Sequence, residues 1–462
     1  MKNNENSMSR RKFLAVSSAI AGTSLASPAS SLYAGTNNIK VTQNARKRIA
    51  LVGTGIRGMR MFGQDIVRNY SDYAEFVALC DINPGRLAAA KDMIGVDCPT
   101  YTDFDRMMRE TNPELVFVIT DDDAHERLIN RAMELGANVV TEKPMAIDEK
   151  QIQSIIDADK TNNKTCQVSF NYRYAPIRAA MWEVLRSGEL GELTSVDFNW
   201  YLDHDHGARY FRRWHRLMEK GGSLWVHKAT HHFDLLNWWI DSDPEVVYAL
   251  SDLEVFGKNG PFRAPNCRSC PHTRECRHYW DITRDNTAMR LYVDNEHYDG
   301  YLRDGCVYRN DVNIFDKHTA TIGYKNGVQA AYSLVCYSPY AGYRIGFSGT
   351  KGRMDAFIEE NNPLSNVDFD QAIIYPNSGR RRFINVPKRG GHGGGDKLIM
   401  DQIFIPGSED PYKSSAGIRD GALSCLVGIA ARKSVASGQP VKIEGLTSIV
   451  PQVQKEYKRI IV

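Results

Sequence analysis

Between residues 48 and about 166, short apolar runs of β-forming residues alternate with helix-like stretches. The runs at 48–52, 75–81, 114–120 and 138–142 predict strands, and 59–69, 102–110, 125–135 and 148–160 predict helices. Alternation of this kind over about 120 residues predicts a doubly wound parallel sheet. Beyond about residue 166 the texture changes. Strand-like segments dominate at 166–173, 193–203, 246–256, 319–324, 328–335, 343–348 and 353–358, with tight turns at Lys325-Asn326-Gly327 and Thr350-Lys351-Gly352. Helices at 177–186, 227–240 and 416–437 accompany them, and 390–396 reads as a glycine-rich loop. The second half therefore predicts a large, mostly antiparallel open sheet with helices on one face. Two domains are expected, 47–166 and 167–462, behind a leader at 1–34.

The first predicted strand runs into Gly53-Thr54-Gly55-Ile56-Arg57-Gly58, and a helix follows. Strand, glycine turn and helix form the context in which G-x-G-x-x-G signals dinucleotide binding. Gly53 permits the tight turn, Gly55 and Ile56 bring backbone close to a pyrophosphate, and Gly58 lets the helix pack on its strand. The helix N-terminus then attracts the phosphates. The next strand ends at Asp81, where a carboxylate should accept from the adenine-ribose hydroxyls of NAD and repel the 2′-phosphate of NADP. Arg86 nearby keeps NADP open as the lesser alternative.

Composition adds the class of protein. A chain of 462 residues with 42% hydrophobic and 24% charged residues is globular, and its net charge is +3. All of that excess lies in the leader, where Lys2, Arg10, Arg11 and Lys12 face Glu5, and the remainder is neutral. No basic stripe remains as a footprint for nucleic acid. Ser9-Arg10-Arg11-Lys12-Phe13-Leu14, an apolar small-residue run and Ser27-Pro28-Ala29-Ser30 form a signal peptide with paired arginines. This resembles a twin-arginine signal and predicts export to the periplasm by that machinery, with no membrane span in the mature chain. Such signals imply export after folding. NAD is therefore expected to be bound before export, held tightly and recycled in place.

Together the glycine fingerprint with Asp81, the Thr120–His125 strand end, Glu142-Lys143-Pro144, Asn171-Tyr172-Arg173-Tyr174, Gly221-Gly222, and His231 with Asp234 resemble the Gfo/Idh/MocA oxidoreductases over residues 48–450. The resemblance implies hydride transfer between a nicotinamide and a sugar or polyol carbon, and association into a homo-oligomer through the open sheet face. It assigns Thr120, His125, Glu142, Lys143 and Pro144 to the cofactor side, and Asn171 and Arg173 to the substrate. His231 falls at the family's usual catalytic histidine. His227 stands where most members carry an acid, so Lys143, His231 and His227 all remain candidates for the proton acceptor. Independently of the family, oxidation of an alcohol needs a base, and a lysine at a strand's carboxyl end beside a cationic ring should have a lowered pKa. His206 within 201–210, with Trp214 nearby, reads either as a carbohydrate-facing wall or as a solvated loop.

Three thiols fall within ten residues at Cys267, Cys270 and Cys276. With Cys306 they predict a zinc site, while export makes a disulfide the competing reading. The sequence thus predicts a periplasmic NAD-dependent oxidoreductase acting on a sugar, polyol or glycoside. A redox-neutral NAD-dependent glycosidase and a non-enzymatic sugar- or cofactor-binding protein are the alternatives.

Overall fold

The computed structural model describes residues 46–362, 367–455, 457 and 460–462, so the signal-peptide expectation at 1–34 lies outside the described residues. Six strands form the first sheet: β1 (Lys47–Val52), β2 (Ala74–Cys80), β3 (Thr100–Tyr101), β4 (Leu115–Val118), β5 (Asn138–Thr141) and β6 (Cys166–Val168). Their order is β3-β2-β1-β4-β5-β6 and every pairing is parallel. The strand order reverses between β1 and β4, which opens a crevice beyond their carboxyl ends where ligands bind in such sheets. Helices Pro84–Ile94, Phe104–Thr111 and Glu149–Thr161 start at Asn83, Asp103 and Asp148. Each of these side chains accepts the N–H three residues on, satisfying a donor the helix cannot use itself.

The first helix starts earlier than its apolar pattern indicated. It runs through Ile56–Met59, a π-turn at Arg60–Gln64, and Asp65–Tyr70. Gly58 explains the close start: a Cβ there would lie 2.1 Å from the Gly53 carbonyl oxygen. Gly53 itself has φ +92°, and a Cβ on it would meet the Ile119 carbonyl at 2.2 Å. The strand expected over 166–173 stops at Val168. There Phe170 N–H turns back to the Val168 carbonyl at 2.8 Å, and Asn171–Tyr174 forms a 3-10 turn.

Nine strands form the second sheet: β7 (Leu193–Asp203), β8 (Pro244–Asp252), β9 (Lys317–Tyr324), β10 (Gln329–Ser338), β11 (Ala341–Gly349), β12 (Gly352–Asn361), β13 (Phe369–Pro376), β14 (Arg382–Pro387) and β15 (Val441–Lys442). Their order is β14-β13-β12-β11-β7-β10-β9-β8-β15. Only β7 and β10 run parallel. β13 and β14 escaped the sequence pattern; β14 is exposed or half-exposed throughout, so it carries no apolar alternation to read. Helices Pro176–Ser187, Thr230–Ile240 and Ile418–Ser437 cover one face. Thr230–Ile240 is buried at every position, which is why its sequence is apolar nearly all round. Trp200, Trp225, Trp238 and Trp239 are fully enclosed in this layer, each removing roughly 150–250 Å² from water. The opposite face is open and shows Tyr248, Leu250, Phe357, Phe369, Tyr375 and Phe383.

Candidate active site

The carboxyl ends of β1 and β2 carry the dinucleotide cradle. Asp81 Oδ2 accepts the Thr54 N–H at 2.8 Å and the Thr54 hydroxyl at 3.0 Å, while Oδ1 accepts Asn83 N–H at 2.9 Å and Arg86 Nη1 at 3.2 Å. Arg86 is held a second time by Asp299. One guanidinium, two amides and a hydroxyl therefore pin the carboxylate at the end of β2, and Arg86, the cation placed to meet a 2′-phosphate, is already neutralised. The turn fits a nucleotide: Gly53 and Gly58 leave no room for a side chain, and Gly55 keeps the backbone bare.

The next two strand ends meet over the cis Lys143–Pro144 peptide. His125 is fully buried between them, with Nδ1 2.8 Å from the Pro144 carbonyl and Nε2 3.2 Å from the Thr120 carbonyl. Burial lowers its pKa, so the ring is neutral and ties the two loops together rather than reaching into the crevice. Glu142 accepts Arg57 Nε at 2.7 Å and the Lys143 N–H at 3.1 Å. Burial acts to raise this carboxyl, but Arg57 and Lys143 outweigh it and hold it below the usual range. Arg57 reaches on to Asp396 at 3.5 Å, and Asp396 in turn accepts Asn171 Nδ2 at 2.5 Å. Asn171 is thus committed to this network from the second half of the chain.

Lys143, half-buried, donates to the His227 carbonyl at 3.1 Å. Burial lowers its pKa, against the pull of Asp122 and Glu142. His227 Nδ1 and Asp122 Oδ2 lie 2.5 Å apart in a buried pair. Burial is the leading cause for both, raising the carboxyl and lowering the imidazole, so the pair favours a neutral acid–imidazole hydrogen bond. The carboxylate missing from position 227 therefore reappears behind the ring, from the β4 end. Beside this pair, His215 packs on the His227 ring at 4.1 Å and Trp214 stacks on His215 at 3.7 Å.

The helix expected over 227–240 breaks at Lys228-Ala229, so His227 ends one short helix and His231 opens the next, Thr230–Ile240. His231 stacks on Tyr172 at 4.2 Å, and its Nδ1 has no partner among the described residues. Burial, then the nearby Lys143 and Lys228, keep it neutral. Lys143, His231, His206, Tyr172, Lys228 and Glu360 line one cavity of about 370 Å³, within the size range of small-molecule sites. Lys228 donates to the Tyr172 hydroxyl at 3.1 Å and lies over the Trp200 ring at 5.0 Å. Burial, with Lys143 adding repulsion, lowers it to about 8. His206 Nε2 lies 3.0 Å from the Tyr210 hydroxyl.

Several sequence expectations take a different form here. Arg173, expected against substrate, is fully buried and pairs with Asp234 through two bonds of 2.8 and 2.5 Å and with Asp420 at 3.1 Å. It braces the helices beneath the cavity. Trp214 stands behind His227 instead of lining the sugar wall. The zinc expectation for Cys267, Cys270, Cys276 and Cys306 is corrected as well. The four sulfurs border one small cleft, but among the described residues no group of three or more ligating side chains is placed to hold a metal ion. Their partners are N–H donors: Arg212 Nη1 on Cys267 at 2.9 Å, and the amides of His272 and Tyr308 on Cys270 and Cys306 at 3.4 Å. All nine thiols are free. Lys228, Asp122 and Glu360 were not singled out from sequence. Lys228 sits inside the His227–His231 run and had a positional signal; Glu360 comes from β12, more than 120 residues away, and had none.

The chain is similar to known proteins over most of its length. Residues 47–170 match the family described as "Oxidoreductase family, NAD-binding Rossmann fold", and 183–443 match its "C-terminal alpha/beta domain". The Bacillus subtilis (strain 168) protein YteT is 33% identical over 425 residues, spanning 87% of this chain and 98% of that one. An inositol 2-dehydrogenase/D-chiro-inositol 3-dehydrogenase of Lactiplantibacillus plantarum is 26% identical over 205 residues, 44% of this chain and 56% of its own length. A levoglucosan dehydrogenase solved with NADH and levoglucosan shares the fold, with TM-score 0.62 and 18% identity over 86% of this chain and 100% of that one.

Proposed function

Because the chain belongs to the Gfo/Idh/MocA oxidoreductase family, we propose that it moves hydride between NAD and a secondary alcohol carbon of a sugar, polyol or glycoside. One observation carries this reading: Lys143 and His231 open onto the same cavity, beside the carboxyl end of the first sheet. When bound in the cradle, NAD would supply hydride acceptance and return. The chain's own groups do the rest. The bare backbone at Gly53 and Gly55 would hold the pyrophosphate, with the Ile56 N–H reaching it through the Tyr292 hydroxyl, and Asp81 would accept the ribose hydroxyls. Lys143, its pKa lowered by burial, takes the hydroxyl proton. His231, neutral and with a free ring nitrogen, receives a hydrogen bond from the same hydroxyl or relays its proton. The Asp122–His227 pair fixes the ring whose backbone carbonyl orients Lys143. Tyr172, His206, Lys228 and Glu360 supply donors and acceptors for the remaining hydroxyls.

The likeness to polyol and sugar dehydrogenases supports this substrate class, and the neutralised Arg86 supports NAD over NADP. The twin-arginine leader supports a periplasmic enzyme that leaves the cytoplasm with its NAD aboard. The apolar open face of the second sheet supports a homo-oligomer joined there. Incubation with a carbohydrate panel, following nicotinamide absorbance and product mass, tests the reading. Oxidised sugar with matching NADH is expected. Phenol release from aryl glycosides without net NADH would replace it with the redox-neutral glycosidase, and no turnover across the panel would leave a binding protein.

A further inference from the structure

The segment between β8 and β9, residues 253–316, folds back onto the dinucleotide cradle. Helix Asn286–Leu291 and the turns that follow it dock along the ends of β1 and β2, burying Ile282, Ala288 and Leu291 in the core that holds Ile49, Leu51 and Leu79. The contacts are specific. Ile56 N–H, inside the glycine turn, donates to the Tyr292 hydroxyl at 2.8 Å. Asn83 Nδ2 donates to the Asn295 carbonyl and to Asp299, both at 2.9 Å. Tyr292 thus occupies an amide that, in this fold, faces phosphate.

Besides the paired Arg86, two cations near Tyr292 have no carboxylate in ion-pair contact among the described residues. The Arg303 guanidinium stacks over its ring at 4.3 Å, is 7% exposed, and donates only to the Tyr301 hydroxyl at 3.2 Å. Arg213, from the loop after helix His204–Arg212, has a buried Nε with no hydrogen-bond partner. Among the described residues neither arginine has a carboxylate within ion-pair distance. Burial, followed by repulsion from Arg303, lowers Arg213 to about 9. Arg303 differs: burial acts to lower it, but Tyr292, Tyr301 and the more distant Asp285 outweigh that and hold it above its ordinary value. Arg213 is the guanidinium left uncompensated, and an anion bound beside it would offset that cost. Arginine forks also suit phosphate oxygens better than lysines do.

We propose that Arg213 and Arg303, with the Tyr292 hydroxyl, clamp the pyrophosphate of the dinucleotide from the side facing the glycine turn. The segment 253–316 is then a cap that retains the cofactor. This deepens the reading of Gly53–Gly58 as a dinucleotide cradle and does not depend on which alcohol is oxidised. It gives the exported enzyme a means of keeping NAD where none can be replaced.

NADH release measured by stopped-flow fluorescence tests the clamp without any sugar. Arg303→Met and Arg213→Met are each expected to speed release about 10- to 100-fold, with Arg303→Lys recovering part of the loss. Calorimetric titration should show the same loss for ADP-ribose and none for adenosine, which lacks the pyrophosphate. Wild-type release rates in both Met variants would overturn the proposal. So would equal losses for adenosine and ADP-ribose, or tighter NADH binding by Tyr292→Phe, which would make the hydroxyl a plug competing with phosphate. Failure of the carbohydrate panel leaves these measurements readable, so the two readings stand or fall separately.

Discussion

Replacing Lys143 by methionine separates chemistry from folding. The ammonium has one hydrogen bond, to the His227 carbonyl, and among the described residues no carboxylate reaches ion-pair distance. Loss of a positioned base lowers kcat by about 10²- to 10⁴-fold, or roughly 3–5 kcal/mol of barrier. The stability change has the opposite sense. A lysine whose folded pKa lies below its ordinary 10.5 binds fewer protons in the folded state than in the unfolded chain. Its burial therefore weakens the fold below the folded pKa, and that penalty fades as pH rises through it toward the unfolded value. Methionine fills similar space without the charge, so the melting temperature at pH 7 should hold or rise. The assay pairs single-turnover NADH formation from protein preloaded with NAD with a thermal melt. The wild-type rate should climb with pH as Lys143 deprotonates, and the variant should lose that limb. A variant with kcat within about tenfold of wild type, or with a pronounced drop in melting temperature at unchanged NAD content, refutes the assignment of Lys143 as the base.

Three further outcomes follow from particular contacts. Arg173→Met should cost about 3–5 kcal/mol in denaturant unfolding, because it strands the buried Asp234 carboxylate, while Asp420 keeps Lys455 at 2.6 Å; a loss confined to sugar affinity at normal stability would restore Arg173 to the substrate site. Asp122→Asn should lower kcat about tenfold and alter the pH profile while leaving NAD affinity intact, since it removes the acidic partner of the His227 ring; an unchanged profile would make the pair merely structural. Prolonged chelation should leave the melting temperature unmoved, in keeping with thiols bonded to N–H donors; a falling melt, or stoichiometric metal in the purified protein, would reinstate the cysteine site.

Local chemistry in the chain determined the first sheet and its cradle, because strand, glycine turn, helix and acid are set by neighbours in sequence. The same holds for Glu142-Lys143-Pro144. The single helical face expected for His227 and His231 does not form, because the chain breaks at Lys228-Ala229 and puts the two rings on successive helices, Leu224–His227 and Thr230–Ile240. Only tertiary structure decided which polar groups meet. Asp122 lies 105 residues from His227, and Glu360 and Lys228 reach one cavity from separate elements. Arg173 shows the limit from the other side: its motif resembled a substrate contact, but the carboxylates that claim it, Asp234 and Asp420, come from helices far along the chain. The cysteine spacing resembled a metal knuckle, but among the described residues packing brings no three ligating side chains together. Burial and long-range pairing are properties of the packed chain, and no window of sequence contains both partners.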